Sequence, residues 1–214
     1  MTTLNLANNK LTTVPVELGN LIGLTTLKLS YNELTMVPVE LGDLKFLNEL
    51  NLSNNKLILV PEEIGQLNNL TTLLLKNNML ETLPLQLYEL KKLKELDLTN
   101  NNFTSMPAQI GSLESLINLQ LSSNEISTLN EENLNLNNLE VLNLSYNKLD
   151  SISGKIGNLI NLIKLDLSSN KLAHLPEEIS NLKNLIWLNL SDNNFGNPEK
   201  QLIQNWLPNC EIIW

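Results

Sequence analysis

The sequence predicts an α/β right-handed solenoid, with a concave parallel β-sheet and a convex back of short helical, 3-10 or extended segments. Three observations carry this. The frame L-x-x-L-x-L-x-x-N-x-L begins at Met1, Leu24, Leu47, Leu70, Leu93, Leu116, Leu139, Leu162 and Leu185, and every step is 23 residues with no insertion. A fixed period of this length marks stacked repeats. Inside each frame the alternation around residues such as Leu50 and Leu52 describes a short strand with one face in and one face out. The ninth position is Asn throughout, from Asn9, Asn32 and Asn55 through Asn78, Asn101 and Asn124 to Asn147, Asn170 and Asn193.

Each element then has its own reason. One frame cannot cover its leucines, but neighbours on either side can, and like strands stacked on like strands make a parallel sheet. An unsatisfied amide among leucines costs about 1–3 kcal/mol. Where the chain turns out of its strand it leaves backbone groups unpaired, and Asn has two donors and an acceptor to satisfy them. The second half of the period places an apolar residue before Pro at Val37-Pro38, Val60-Pro61, Leu83-Pro84 and Met106-Pro107. Pro fixes φ and lacks an N–H, which suits entry to a short helical or 3-10 turn. Leu41, Ile64, Leu87 and Ile110 follow, each with a leucine three residues later, at the spacing of one turn against the core.

Residues 1–195 read as nine repeats and residues 196–214 as a C-terminal cap. In repeat one, Leu4, Leu6, Leu11 and Leu18 are expected to face water on one side, because nothing precedes them. A removed segment, a self-contact or simple exposure would each account for that edge, and the chain is expected to be a monomer or to self-associate weakly through it. Repeats six and seven depart from type: Asn130 and Ser153 replace the proline, and Asn133 and Leu134 predict a local change of register. In the cap, Asn197-Pro198 reads as a helix N-cap followed by Pro at the first helical position. Leu202, Ile203 and Trp206 form its apolar face, and residues 210–214 add an edge strand.

Residues 58–69, ILVPEEIGQLNN, and 173–184, AHLPEEISNLKN, complete the period. Together with the eleven-residue frame they resemble the leucine-rich repeat family, and more narrowly its intracellular or bacterial type with the half-repeat x-x-L-P-x-E-I-G-x-L-x-N, as in Ras-suppressor-like proteins. The resemblance covers essentially all 214 residues.

Composition narrows the function. The net charge is −9, and all 14 basic residues are Lys. Nucleic-acid binders carry a basic stripe and favour the bidentate Arg fork, so phosphate tracking is not the expected role, and an anionic membrane surface is disfavoured for the same reason. No apolar run approaches the roughly 20 residues that span a bilayer. Cys210 is the single cysteine, so no internal disulfide forms. With no paired-Cys caps and with Met1 already in the first frame, the expectation is a reducing, cytoplasmic setting. A secreted bacterial protein or effector is the alternative. Sequons at Asn51, Asn69, Asn102, Asn143 and Asn189 read as by-products of the N-L-S pattern.

The sequence offers no enzyme. With His174 and Cys210 each alone of its kind, neither a Cys–His dyad nor a Cys/His zinc site assembles. The Glu62-Glu63, Glu131-Glu132 and Glu177-Glu178 pairs read as a solvated acidic back. Asp97 and Asp166 lie three repeats apart, about 14 Å at the spacing of strands, too far to cooperate. Glu95 and Asp97 share one strand face and make at most a weak cation site, so no cofactor and no metal is expected.

The inner face remains. Its third positions run Thr3, Thr26, Glu49, Thr72, Glu95, Asn118, Val141, Lys164, Trp187, and its fifth positions Asn5, Lys28, Asn51, Leu74, Asp97, Gln120, Asn143, Asp166, Asn189. These identities vary where the core fixes the backbone, which is what recognition of a protein partner requires. Trp187, Lys164, Val141 and Tyr146 are the expected C-terminal half of the surface, with Asp166, Asp97, Glu95 and Tyr31 as further contacts. Packing of Trp187 on the cap, through Trp206 or Trp214, competes with that role. A surface adhesin-like array for glycan or matrix, or the recognition part of a larger protein, is the alternative function.

Overall fold

The computed structural model describes residues 1–107, 109–129 and 134–214. Ten strands form one sheet: β1 (Thr3–Asn5), β2 (Thr26–Lys28), β3 (Glu49–Asn51), β4 (Thr72–Leu74), β5 (Glu95–Asp97), β6 (Asn118–Gln120), β7 (Val141–Asn143), β8 (Lys164–Asp166), β9 (Trp187–Asn189) and β10 (Glu211–Ile213). They lie in sequence order, all parallel, each pairing residue for residue with the next. The middle residue of every strand from β2 to β9 points inward and is fully covered. With Leu29, Leu52, Leu75 and their equivalents it makes one continuous core along the array.

The ninth-position asparagines hold each turn to the repeat before it. Asn55 Nδ2 donates to the carbonyls of Leu29 and Leu52, both at 3.0 Å, while its Oδ1 accepts the Leu34 N–H at 3.0 Å. The same set recurs from Asn32 to Asn193. Leu29 and Leu34 belong to the preceding repeat, so each Asn from Asn32 onwards reaches backwards. The Asn9 side chain, in the first repeat, donates to the carbonyls of Leu6 and Ala7 beside it.

On the back, 3-10 turns run over Val16–Asn20, Val39–Asp43, Glu62–Gln66, Leu85–Glu89, Ile110–Ser112, Gly154–Asn158 and Glu177–Asn181. Pro15, Pro38, Pro61, Pro84 and Pro176 precede five of these with φ between −69° and −65°, the value the pyrrolidine ring imposes. Ser153 replaces the proline in repeat seven, and its hydroxyl accepts the Lys155 N–H at 3.3 Å, so the turn forms there too. The change of register expected in repeat six falls on residues 130–133, outside the described residues. Gly19, Gly42 and Gly65 let consecutive turns touch: a Cβ on any of them would collide with the backbone carbonyl of Glu40, Glu63 or Gln86. Tyr88 takes the equivalent place in repeat four and is buried.

The ends depart from expectation in detail. Leu4, Leu6 and Leu11 are half-buried, but Leu18 is buried, because the second turn covers it from one side. The helix α1 (Asn197–Trp206) is capped at Gly196, one residue earlier than the Asn-Pro pair suggests. Ile203 is its buried anchor and Trp206 is half-buried, whereas Leu202 faces solvent. A single helix laid across the last repeat buries a narrower stripe than the apolar spacing allows.

Two buried acids predict alkaline lability. Burial, with the Glu211 carboxylate second, pushes the Cys210 thiol from 9.0 up to about 11, and burial pushes the Tyr88 phenol from 10.0 up to about 12. Both stay neutral in the fold and ionise sooner once exposed. Their stabilisation is therefore complete below pH 9 and is lost from 9 towards 11 through Cys210, then from 10 towards 12 through Tyr88. Melting temperatures taken across this range should fall. Cys210→Ala should flatten the earlier part and Tyr88→Phe the later; curves unchanged by either variant would refute the assignment.

Candidate recognition surface

The concave sheet sets out the third and fifth positions as two columns. Register places Val141, Lys164, Trp187 and Glu211 side by side on β7 to β10. Trp187 is thus one strand in from the edge, flanked by Lys164 and Glu211, and half-buried. The cap tryptophans are engaged elsewhere. Trp214 meets Phe195 edge-on, with centroids 6.1 Å apart, and Lys200 Nζ lies 5.0 Å above its ring. Trp206 packs against the core and lines a cavity together with Leu182, Leu185 and Leu207. Among the described residues Trp187 makes ring contact with neither. Towards the N-terminal end, Lys28 pairs with Glu49 at 3.2 Å across adjacent strands.

The fifth column is less free than its sequence variety suggests. Where it holds Asn or Asp, the side-chain oxygen accepts the N–H two residues on: Asn5 from Ala7, Asn51 from Ser53, Asp97 from Thr99, Asn143 from Ser145, Asp166 from Ser168 and Asn189 from Ser191. The serine hydroxyls of repeats seven to nine donate to the same oxygens, at 2.6 Å for Ser168 to Asp166. This Asx turn ends each strand. It also gives the N-L-S sequons a structural cause. Asp97 and Asp166 each retain one carboxylate oxygen for other contacts, and Glu95 stands beside Asp97 on β5.

The eighth position makes a third column, of which only Tyr31 and Tyr146 stand out in the sequence. Asn8, Tyr31, Asn54, Asn77, Asn100, Ser123, Tyr146, Ser169 and Asp192 all have φ between 53° and 58°. Most are residues whose short polar side chains suit the left-handed region, and Asn54, Asn77 and Asn100 link into a ladder, at 2.6 and 2.8 Å. The run of Asn, Ser and Asp was the available signal. Tyr31 and Tyr146 break it. Each carries a large side chain in a strained backbone state, and their rings stand 57% and 63% exposed.

His174 projects from the back with its side chain 81% exposed, 3.1 Å from Glu199 of α1. Among the described residues no group of three or more His, Cys, Asp or Glu is placed to hold a metal ion. No helix among them is long and apolar enough to cross a membrane. The concave sheet thus sets out polar columns, varied charges and exposed aromatics side by side.

Residues 40–155 match the family described as a leucine-rich repeat region, and residues 1–57 and 137–195 match a second description of the same repeat. The chain is a leucine-rich repeat protein. Residues 184–210 match a third description of that repeat. No curated protein matches the sequence. Among solved structures, an internalin from Listeria monocytogenes is 25% identical with a TM-score of 0.83, over 100% of this chain and 60% of that one. The plant peptide hormone receptor RGFR1, solved in complex with RGF2, is 31% identical with a TM-score of 0.66, over 90% of this chain and 36% of that one. A leucine-rich repeat protein from Leptospira interrogans is 33% identical with a TM-score of 0.48, over 100% of this chain and 72% of that one. The leucine-rich repeat is in general a protein-binding module, and the family is typically non-catalytic.

Proposed function

We propose that this chain is a non-catalytic module that binds a protein partner on its concave face, with Trp187, Lys164, Val141 and Tyr146 as the C-terminal half of the contact. Asp166, Asp97 and Glu95 offer carboxylate oxygens further along, and Tyr31 stands at the far end. The observation that carries the reading is the exposed Tyr146 at φ 53°, at a position that holds Asn, Ser or Asp in every other repeat but the second, where it is Tyr31. A non-glycine residue in this region costs about 1–2 kcal/mol, and strain kept on an exposed aromatic points to use in recognition. Trp and Tyr dominate binding energy at many interfaces. The likeness to a receptor solved with RGF2 supports the same reading.

Tyr146→Asn tests it with two readouts of opposite sign. The substitution should stabilise the fold by about 0.5–1 kcal/mol, because Asn tolerates the left-handed state. It should also weaken capture of the partner from native lysate by the purified array, as should Trp187→Ala. Partner capture unchanged in both variants would remove this half of the face from the contact.

A further inference from the structure

The back of the first four repeats differs from the rest. Val16, Met36, Val39, Ile58, Leu59 and Leu85 are each 47–65% exposed there. They occupy the residues just before the buried apolar-Pro pair and just after the proline. In these four repeats the same places also hold Thr12, Thr13, Thr35, Glu62, Glu81 and Thr82, whereas in later repeats the places before the pair hold Thr104, Ser105, Ser127, Thr128, Asp150, Ser151, Ala173 and His174, with no large apolar side chain. The apolar stripe is therefore confined to one end of the back and stops after repeat four.

The stripe lies on a rigid support. Gly19, Gly42 and Gly65 bring each turn into close backbone contact with the next, and the strands of the same repeats lie about 4.8 Å apart. An α-helix advances 5.4 Å per turn, so a helix along the array axis presents about one side chain to each repeat. Charge then selects among amphipathic occupants. The back segments 12–20, 35–43, 58–66 and 81–89 contain Glu17, Glu40, Asp43, Glu62, Glu63, Glu81 and Glu89, and no Lys; Lys45, just past the second, donates to the Gly42 carbonyl at 2.7 Å and to Gln66 Oε1 at 2.9 Å, so the balance stays acidic. A second copy would bring these carboxylates together, and an anionic lipid surface would be repelled. A cationic helix is attracted on both counts.

We propose that this stripe is a second docking surface, for a basic amphipathic helix of a partner protein laid along the solenoid axis. Its leucine-type side chains rest on the stripe, and its Lys or Arg flanks meet Glu17, Glu40 and Glu63. This does not depend on the concave reading, because none of its residues belongs to that face.

The probe is a labelled synthetic helix with leucines at i, i+4, i+7 and i+11 and lysine flanks. Controls carry glutamate flanks or scrambled leucines. Fluorescence polarisation on the full chain should show saturable binding of the lysine peptide alone, weakening as salt is raised. Leu59→Glu and Met36→Glu, both at exposed sites, should each lower affinity roughly tenfold or more. Glu17→Lys with Glu63→Lys should shift preference towards the glutamate peptide, a gain that misfolding does not produce. Equal binding by wild type and both stripe variants overturns the proposal, as does equal binding of all peptides. A dimer dissolved by Leu59→Glu assigns the stripe to a second copy, and Leu59-dependent uptake on neutral phosphatidylcholine vesicles assigns it to lipid; either result also overturns it.

Discussion

Asn101→Ala should destabilise the array by about 1–3 kcal/mol without altering the concave surface. Asn101 is 6% exposed, and its Oδ1 is the partner of the Leu80 N–H at 3.0 Å. Its Nδ2 donates to the carbonyls of Leu75 and Leu98, both at 3.1 Å. Those two carbonyls keep a second partner, from Asn78 and Asn124 respectively. The uncompensated loss is thus the Leu80 N–H, among residues with no access to water. Asn101→Asp sharpens the test. It keeps the acceptor but sets a carboxylate against the carbonyls, so at neutral pH it should cost at least as much as Ala and recover on acidification. Thermal melts of the two variants at neutral and acid pH check both. A melt of Asn101→Ala matching wild type would make the column dispensable.

Gly42→Ala should destabilise by about 1–3 kcal/mol, the range for forcing atoms into a packed site. Secondary-structure preference alone predicts the opposite, since Ala exceeds Gly by about 1 kcal/mol inside helices. Here the added Cβ would lie 2.8 Å from the Glu63 Cβ and inside the radius of its carbonyl oxygen. The neighbouring turn has to move, and it is held in turn by Gly65 against Gln86. Gly23→Ala is the control, since its Cβ would meet only the Met1 carbonyl at 3.8 Å, an ordinary contact. Equal melting temperatures for the two variants would sink the argument that glycine sets the spacing of the back.

The strands and the asparagine column are legible in the sequence because both follow from a burial pattern repeated without a slip. Leu50 and Leu52 leave one register for their strand, and an amide that recurs among leucines has to be bonded. The identity of the second strand neighbour of Trp187 was not legible in the same way. Glu211 reaches it only because α1 turns the chain back across repeat nine, a three-dimensional event that spacing alone does not fix. Tyr31 and Tyr146 were visible as aromatics, but their strain was not, since φ is a property of the turn and not of the residue. The fifth column misled in the other direction: Asp97 and Asp166 look like free acids in a list, yet each closes its own strand. The apolar stripe on the back was hidden because a core-forming residue and an exposed one differ there by a single position beside the proline.

The backward reach of each asparagine gives the molecule a direction. Asn32 fastens to Leu6 and Leu11, and Asn193 to Leu167 and Leu172, always in the repeat already passed. A ribosome delivers the chain in that same order. Each repeat that emerges carries its own fastener and finds its acceptor sites finished behind it, so this set of bonds requires nothing from the stretch still to be made.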